Sequence, residues 1–215
     1  LLPFIYPYQA NSLRYELTKL LNVVYFAGDY RVYQATKDLL EVAIKELFGP
    51  MTPKQAALFA GITEIKGKRA ANDFISSLRP YLIPFHYDAD KVLRLFKKEK
   101  KLTIPDSADM DLHALSYVGW RDLSKKKIYI VYPYRGELAG IRARYTIGNH
   151  SQSGVCCLCL ATRKGSEIGL VVADSQSASL YRAVGNYMCL DSEACNEQIR
   201  NVQGIEFFFA QVFSR

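Results

Sequence analysis

Apolar positions in the first eighty residues recur at the spacing of an α-helix. Leu13, Leu17, Leu20, Leu21 and Val24 fall at i, i+4, i+7, i+8 and i+11, an amphipathic stripe that ends at Gly28-Asp29. A second stripe, Val32, Thr36, Leu39, Leu40, Ala43 and Leu47, runs to Gly49-Pro50. Thr52-Pro53 opens a third helix, with Thr52 as N-cap and Pro53 at the first helical position, where the missing N–H has no partner to lose. A fourth segment runs from about residue 68 to 78 and stops before Pro80. Four helical segments with short connections predict an antiparallel bundle over residues 1–82.

The period changes after Pro80 and Pro84, which interrupt any regular element between them. One more helix is expected over residues 88–101, with Val92, Leu95 and Phe96 on its apolar face. From Ser116 onward, alternating and β-branched runs predict strands over 127–132, 138–147 and 168–173. Tyr134-Arg135-Gly136-Glu137 reads as the turn between the first two, and residues 205–213 as a short closing helix. The expected fold class is α+β: a helical bundle, residues 1–82, followed by an α/β domain, residues 83–215.

Four cysteines in the last third change this picture from architecture to chemistry. Cys156 and Cys159 form a C-x-x-C, and Cys189 and Cys195 a C-x5-C. Two short loops that each offer two sulfurs can close a tetrahedral thiolate site for Zn²⁺. The first pair sits in a tight turn that suits a zinc knuckle. The second spans a strand end at Cys189 and a helix start that Asp191 or Ser192 can cap. A knuckle plus a strand-to-helix corner outlines a treble-clef zinc finger. Cys157 lies beside the first pair, and because Cys156 with Cys159 keeps the knuckle spacing it is read as a bystander. His150, six residues before Cys156, is a fallback ligand only. A disulfide framework fits badly, since the five cysteines are odd in number and crowd one region.

Composition narrows the alternatives. Hydrophobic residues make up 49% and charged residues 23%, ordinary values for a soluble globular protein. No apolar run reaches the ~18–20 residues of a membrane span, and the Leu1-Leu2-Pro3-Phe4-Ile5 start lacks the basic flank of a signal peptide. Metal-bound thiolates without an export signal point to a cytoplasmic protein. The formal charge of +7 suits nucleic acid or an acidic protein. An all-cysteine site has no open coordination position, no phosphate-binding glycine loop is present, and no carboxylates are paired for acid–base work. A non-enzymatic role is expected.

Several blocks in order resemble the elongation factor G-binding proteins, the FusB/FusC-type fusidic acid resistance family. They are Tyr6-Pro7-Tyr8-Gln9, the stretch from Leu95 to Pro105, Ser116-Tyr117-Val118-Gly119-Trp120, the strand from Lys127 to Tyr132, the C-x-x-C, and the stretch from Cys189 to Asn196. The resemblance implies a helical N-terminal domain, a zinc-binding C-terminal domain, and elongation factor G as a partner gripped mainly by the zinc domain. It further implies release of that factor from ribosomes on which fusidic acid has trapped it, without chemistry on the drug. The chain departs from the pattern at Cys157, and at Val155, where the family resemblance leads one to expect an aromatic.

Partner-binding candidates follow from aromatic placement. Tyr181 is expected on the strand leading to Cys189, and Phe207, Phe208 and Phe209 cannot all face one core from one short helix. Tyr181, Phe207 and Phe208 are the expected contacts, while Trp120 is assigned to the core. The runs Lys97-Lys98, Lys100-Lys101 and Lys125-Lys126-Lys127 read as a solvated helix face and a polar turn. The alternative reading of these runs is a zinc-finger protein that binds ribosomal RNA.

Overall fold

The computed structural model describes residues 1–26, 29–147, 153–174 and 183–213. The chain divides into two compact units, Leu1–Ile83 and Pro84–Arg215.

The first unit is helical. α1 (Pro7–Phe26) buries Leu13, Leu17, Leu20 and Leu21 against α2 (Tyr30–Phe48) and α4 (Lys68–Ser77). Between them lies the single turn of α3 (Pro53–Ala57), where Thr52 caps the helix and the Gln55 side chain returns the bond, a full capping box. The Tyr6-Pro7-Tyr8-Gln9 block starts α1. Gln9 accepts from the Tyr6 N–H at 2.8 Å and donates to the Leu47 carbonyl, so the start of α1 is tied to the end of α2 as antiparallel packing requires. Phe4 and Phe48 meet edge to face at the same end.

The core face of α2 differs from the sequence expectation. Leu40 and Ile44 are buried, with Tyr33 and Phe48 packed beside them, whereas Val32 and Leu39 face outward. The two stripes lie one residue apart, a rotation of ~100°. Asp29 caps the start of the helix by accepting from the Arg31 N–H at 2.8 Å.

The second unit is an antiparallel five-stranded sheet in the order β1 (Val118–Asp122), β2 (Lys127–Tyr134), β3 (Glu137–Ile147), β6 (Ile168–Asp174), β7 (Ala183–Cys189). A separate two-stranded ribbon joins β4 (Ser153–Val155) to β5 (Thr162–Lys164). The Tyr134–Glu137 pair closes β2 on β3 across the expected two-residue turn.

β2 is apolar on both faces because both are covered. Tyr129 and Val131 pack with Phe96 and Trp120 beside α5 (Ala89–Leu95); the Trp120 and Tyr129 rings stack at 5.0 Å. Tyr132 and Tyr134 pack on the other face against Phe209 of α7 (Gln203–Phe213), and Tyr132 donates to Glu206 at 2.6 Å.

α5 ends at Leu95, six residues short of the expected limit. The chain instead turns so that the Glu99 carboxylate meets Lys127 at 2.8 Å, Arg142 at 2.6 Å and the Tyr129 hydroxyl at 3.1 Å. These charge-assisted bonds outweigh the modest helix preference of a lysine-rich stretch.

Candidate metal centre

Four elements converge at the end of the sheet formed by β6 and β7. The β4–β5 ribbon carries the knuckle, in which the Leu160 N–H donates to the Cys156 carbonyl at 2.8 Å and the Cys156 N–H to Ala161 at 3.0 Å. This turn points Cys156 and Cys159 to one side. Cys189 ends β7, and Cys195 lies in the short helix α6 (Ser192–Asn196), capped by Asp191 through the Glu193 and Ala194 N–H groups.

The four sulfurs lie within 4.8 Å of one another and all four residues are buried. Cys156 to Cys195 measures 3.8 Å and Cys159 to Cys189 3.7 Å. A thiolate tetrahedron around Zn²⁺ with bonds of ~2.3 Å has edges of ~3.8 Å. A disulfide would need ~2.05 Å, and all five cysteines are free. Donor type, number and spacing therefore fit zinc.

The surroundings suit an anionic centre. The Cys189 N–H donates to the Cys156 sulfur at 3.3 Å. Hydrogen bonds from Cys159, Cys189 and Cys195 hold the Cys156 thiol far below the usual thiol range. The same bond to Cys156 pushes Cys189 and Cys195 up, because four adjacent sulfurs cannot all ionise without a cation. Arg163, whose Nη2 donates to the Ala194 carbonyl at 2.7 Å, supplies a fixed positive charge. Burial works against that charge, and the neighbouring Cys189 sulfur, to which Arg163 also hydrogen-bonds, outweighs the penalty and raises the Arg163 pKa.

Cys157 stands apart from the cluster. Burial, then the charge of Cys156, pushes its thiol up to about 12, and its N–H donates to the Tyr187 carbonyl at 2.8 Å. His150 lies outside the described residues.

The Ser116-Tyr117-Val118-Gly119-Trp120 block proves to be the seat of α6. The Asn196 side chain, buried in that seat, accepts from the Ser116 and Tyr117 N–H groups and donates to the Tyr117 and Ser192 carbonyls. Ser192 donates to the Gly119 carbonyl at 2.6 Å. A Cβ at Gly119 would stand 2.7 Å from the Tyr117 ring and 3.0 Å from Ser192, so the close approach requires glycine. The Tyr117 ring is buried; burial, then the charge of Cys195 and a hydrogen bond to it, drives its phenol well above the ordinary value.

The aromatic expectations divide. Phe207 is 64% exposed on α7 and free to meet a partner. Phe208 is 1% exposed and belongs to the core, because one residue of helix turns its ring ~100° inward; as a direct contact it is corrected. Tyr181 lies outside the described residues. Trp120 packs in the core as expected. Sequence reasoning missed Tyr187, 51% exposed on β7 two residues before Cys189, and the exposed knuckle residue Leu160; Val155, singled out for its lack of an aromatic ring, is exposed beside them. The alternation along β7, with Met188 buried beside it, carried the signal for Tyr187.

No curated protein matches the chain significantly. A profile described as the FBP C-terminal treble-clef zinc-finger matches residues 92–208, and one described as the elongation factor G-binding protein N-terminal domain matches residues 4–86. Among solved structures, the fusidic acid resistance protein FusC shares the fold, with 22% identity, 97% coverage of each chain and a TM-score of 0.83. Among the described residues, no helix is long and apolar enough to cross a membrane. With both profiles matched in order and the treble-clef corner in place, this chain belongs to the elongation factor G-binding protein family.

Proposed function

We propose that this chain binds elongation factor G and promotes its release from the ribosome, which protects translation from fusidic acid, and that a structural Zn²⁺ held by Cys156, Cys159, Cys189 and Cys195 organises the surface that does so. The observation that carries the reading is the match of both family profiles in order along the chain. The exposed aromatics beside the cysteine centre support a protein interface there. Tyr187 and Phe207 are large, partly rigid anchors of the kind that dominate binding energy. Tyr187 adjoins the knuckle through the bond its carbonyl accepts from Cys157, and Phe207 lies one turn beyond Gly204, whose backbone packs on the knuckle.

Release needs no catalytic step. A binder that favours the off-ribosome arrangement of its partner by ~2.7 kcal/mol shifts the trapped fraction about a hundredfold. The test is calorimetry of the full chain with purified elongation factor G, paired with sedimentation of ribosomes carrying the drug-trapped factor. The expected result is binding, transfer of the factor to the supernatant, and a loss of ~2 kcal/mol for Tyr187→Ala or Phe207→Ala with zinc content unchanged. Absence of binding overturns the reading. Binding that leaves the factor on the ribosome overturns the release step alone.

A further inference from the structure

Two lysine runs that lie far apart in sequence are brought together by one buried carboxylate. Glu99 sits in the turn after α5 between Lys97-Lys98 and Lys100-Lys101. Its side chain is 7% exposed and bridges Lys127 and Arg142, and Lys127 begins β2 directly after the Lys125-Lys126 turn. The bridge staples one basic turn onto the other at the end of the sheet where Lys127 pairs in register with Arg144.

The charge left over is positive. Glu99 is consumed by its three partners, Asp122 is paired with Lys125 at 3.0 Å, and Asp174 is shared between Arg142 and Arg144. Among the described residues, Lys97, Lys98, Lys100, Lys101 and Lys126 make no ion pair, and all are exposed. In each turn a lysine also occupies the left-handed backbone region, Lys101 at φ 55° and Lys126 at φ 49°, where glycine or asparagine costs less. Unpaired like charges held together repel, and a stable fold has no need of them.

We infer that this basic end is a phosphate-backbone contact face for RNA, distinct from the aromatic surface beside the cysteines. The chemistry favours RNA over protein. Protein interfaces bury an apolar core and are depleted in lysine, and the lysine turns carry one exposed apolar side chain, Leu123. A polyphosphate backbone selects lysine without an apolar core and releases counterions on binding. The inference stands on the charge geometry and does not depend on the elongation factor G reading.

The test is fluorescence anisotropy of the full chain against a labelled ~20-base-pair RNA duplex over a salt series. One variant carries Lys97→Gln, Lys98→Gln, Lys100→Gln and Lys101→Gln. The control removes equal charge from the helical unit, with Lys45→Gln, Lys54→Gln, Lys66→Gln and Lys68→Gln. Circular dichroism and zinc content check that both remain folded. The expected result is a loss of at least about tenfold at low salt for the first variant alone. Its slope of log affinity against log salt flattens by nearly one for each phosphate contact removed. Adding Lys126→Gln and Arg144→Gln deepens the loss. An equal loss in the control would show diffuse attraction by net charge and overturn the inference. So would absence of RNA binding, or a first variant that keeps RNA and loses elongation factor G.

Discussion

The two units hold themselves together by different means. The helical unit gathers its buried side chains, Leu13, Leu17, Leu20, Leu40, Ile44 and Ile75 among them, into one cluster built mainly on α1, α2 and α4. The second unit has an aromatic core around Tyr129 and Trp120, yet its far end, where α6 and the β4–β5 ribbon meet, relies on four cysteines and on polar side chains such as Asn196 and Arg163. Apolar burial is graded, and a lost methylene costs about 1 kcal/mol. A metal cross-link is close to all or none, because the free energy of binding the ion is free energy of folding. One unit is therefore built to tolerate small change, and the other concentrates its vulnerability at one point.

Zinc removal should separate the two most sharply. Trp120 is the sole tryptophan and lies in the second unit, so its fluorescence reports that unit alone. A strong chelator, or Cys195→Ser, is expected to collapse the Trp120 signal and abolish that unit's cooperative melting while the α-helical far-ultraviolet signal largely remains. Loss of both signals together would show that the helical unit does not stand on its own core. A smaller effect is expected from Asn196→Ala, which strands two buried N–H groups and the Tyr117 carbonyl. The cost is about 2–4 kcal/mol in denaturant melts followed at Trp120, with zinc retained. A cost below about 1 kcal/mol would show that water satisfies those groups.

The smallest effect concerns Glu99, whose carboxyl is held at about 2 by hydrogen bonds to Lys127, then to Arg142 and Tyr129, against the opposing effect of burial. A depressed pKa contributes stability above the ordinary carboxylate value, and that stability is lost as pH falls through the folded value. Glu99→Gln should cost on the order of 1–2 kcal/mol at neutral pH. The gap between the two proteins should close as pH falls from about 4.5 to about 2. The difference between them isolates Glu99, because acid also protonates the cysteine thiolates. A gap that stays constant across this range would remove the ionic bridge from the account.

What the sequence made legible follows the same division. The cysteines were readable because metal geometry demands paired ligands at short spacing, and Asp191 because a cap is a local event. The strands were readable from period-two alternation. The face of α2 was not, since Val32 and Leu39 are as apolar as Leu40 and Ile44 and only packing chooses between two stripes offset by one residue. The early end of α5 escaped notice because its cause, the reach of Glu99 to Lys127 and Arg142, spans 28 and 43 residues. Asn196 gave no periodic signal, as its partners lie about eighty residues away. Phe207 and Phe208 could be distinguished only once the phase of α7 was known.

Gly204, in the first turn of α7, bears on how the aromatic surface can evolve. A Cβ there would stand 2.2 Å from the Cys157 carbonyl oxygen and 2.8 Å from that of Leu158. Both are backbone atoms of the knuckle, so neither can swing aside. A single methyl at 204 would act as a wedge and lever the helix off the knuckle, carrying Phe207, one turn further along, with it. Variation at Phe207 itself would change the exposed face of α7; variation at Gly204 would change where that face stands. The exposed ring at 207 can therefore be exchanged without disturbing the fold, whereas a side chain at 204 moves the whole helix.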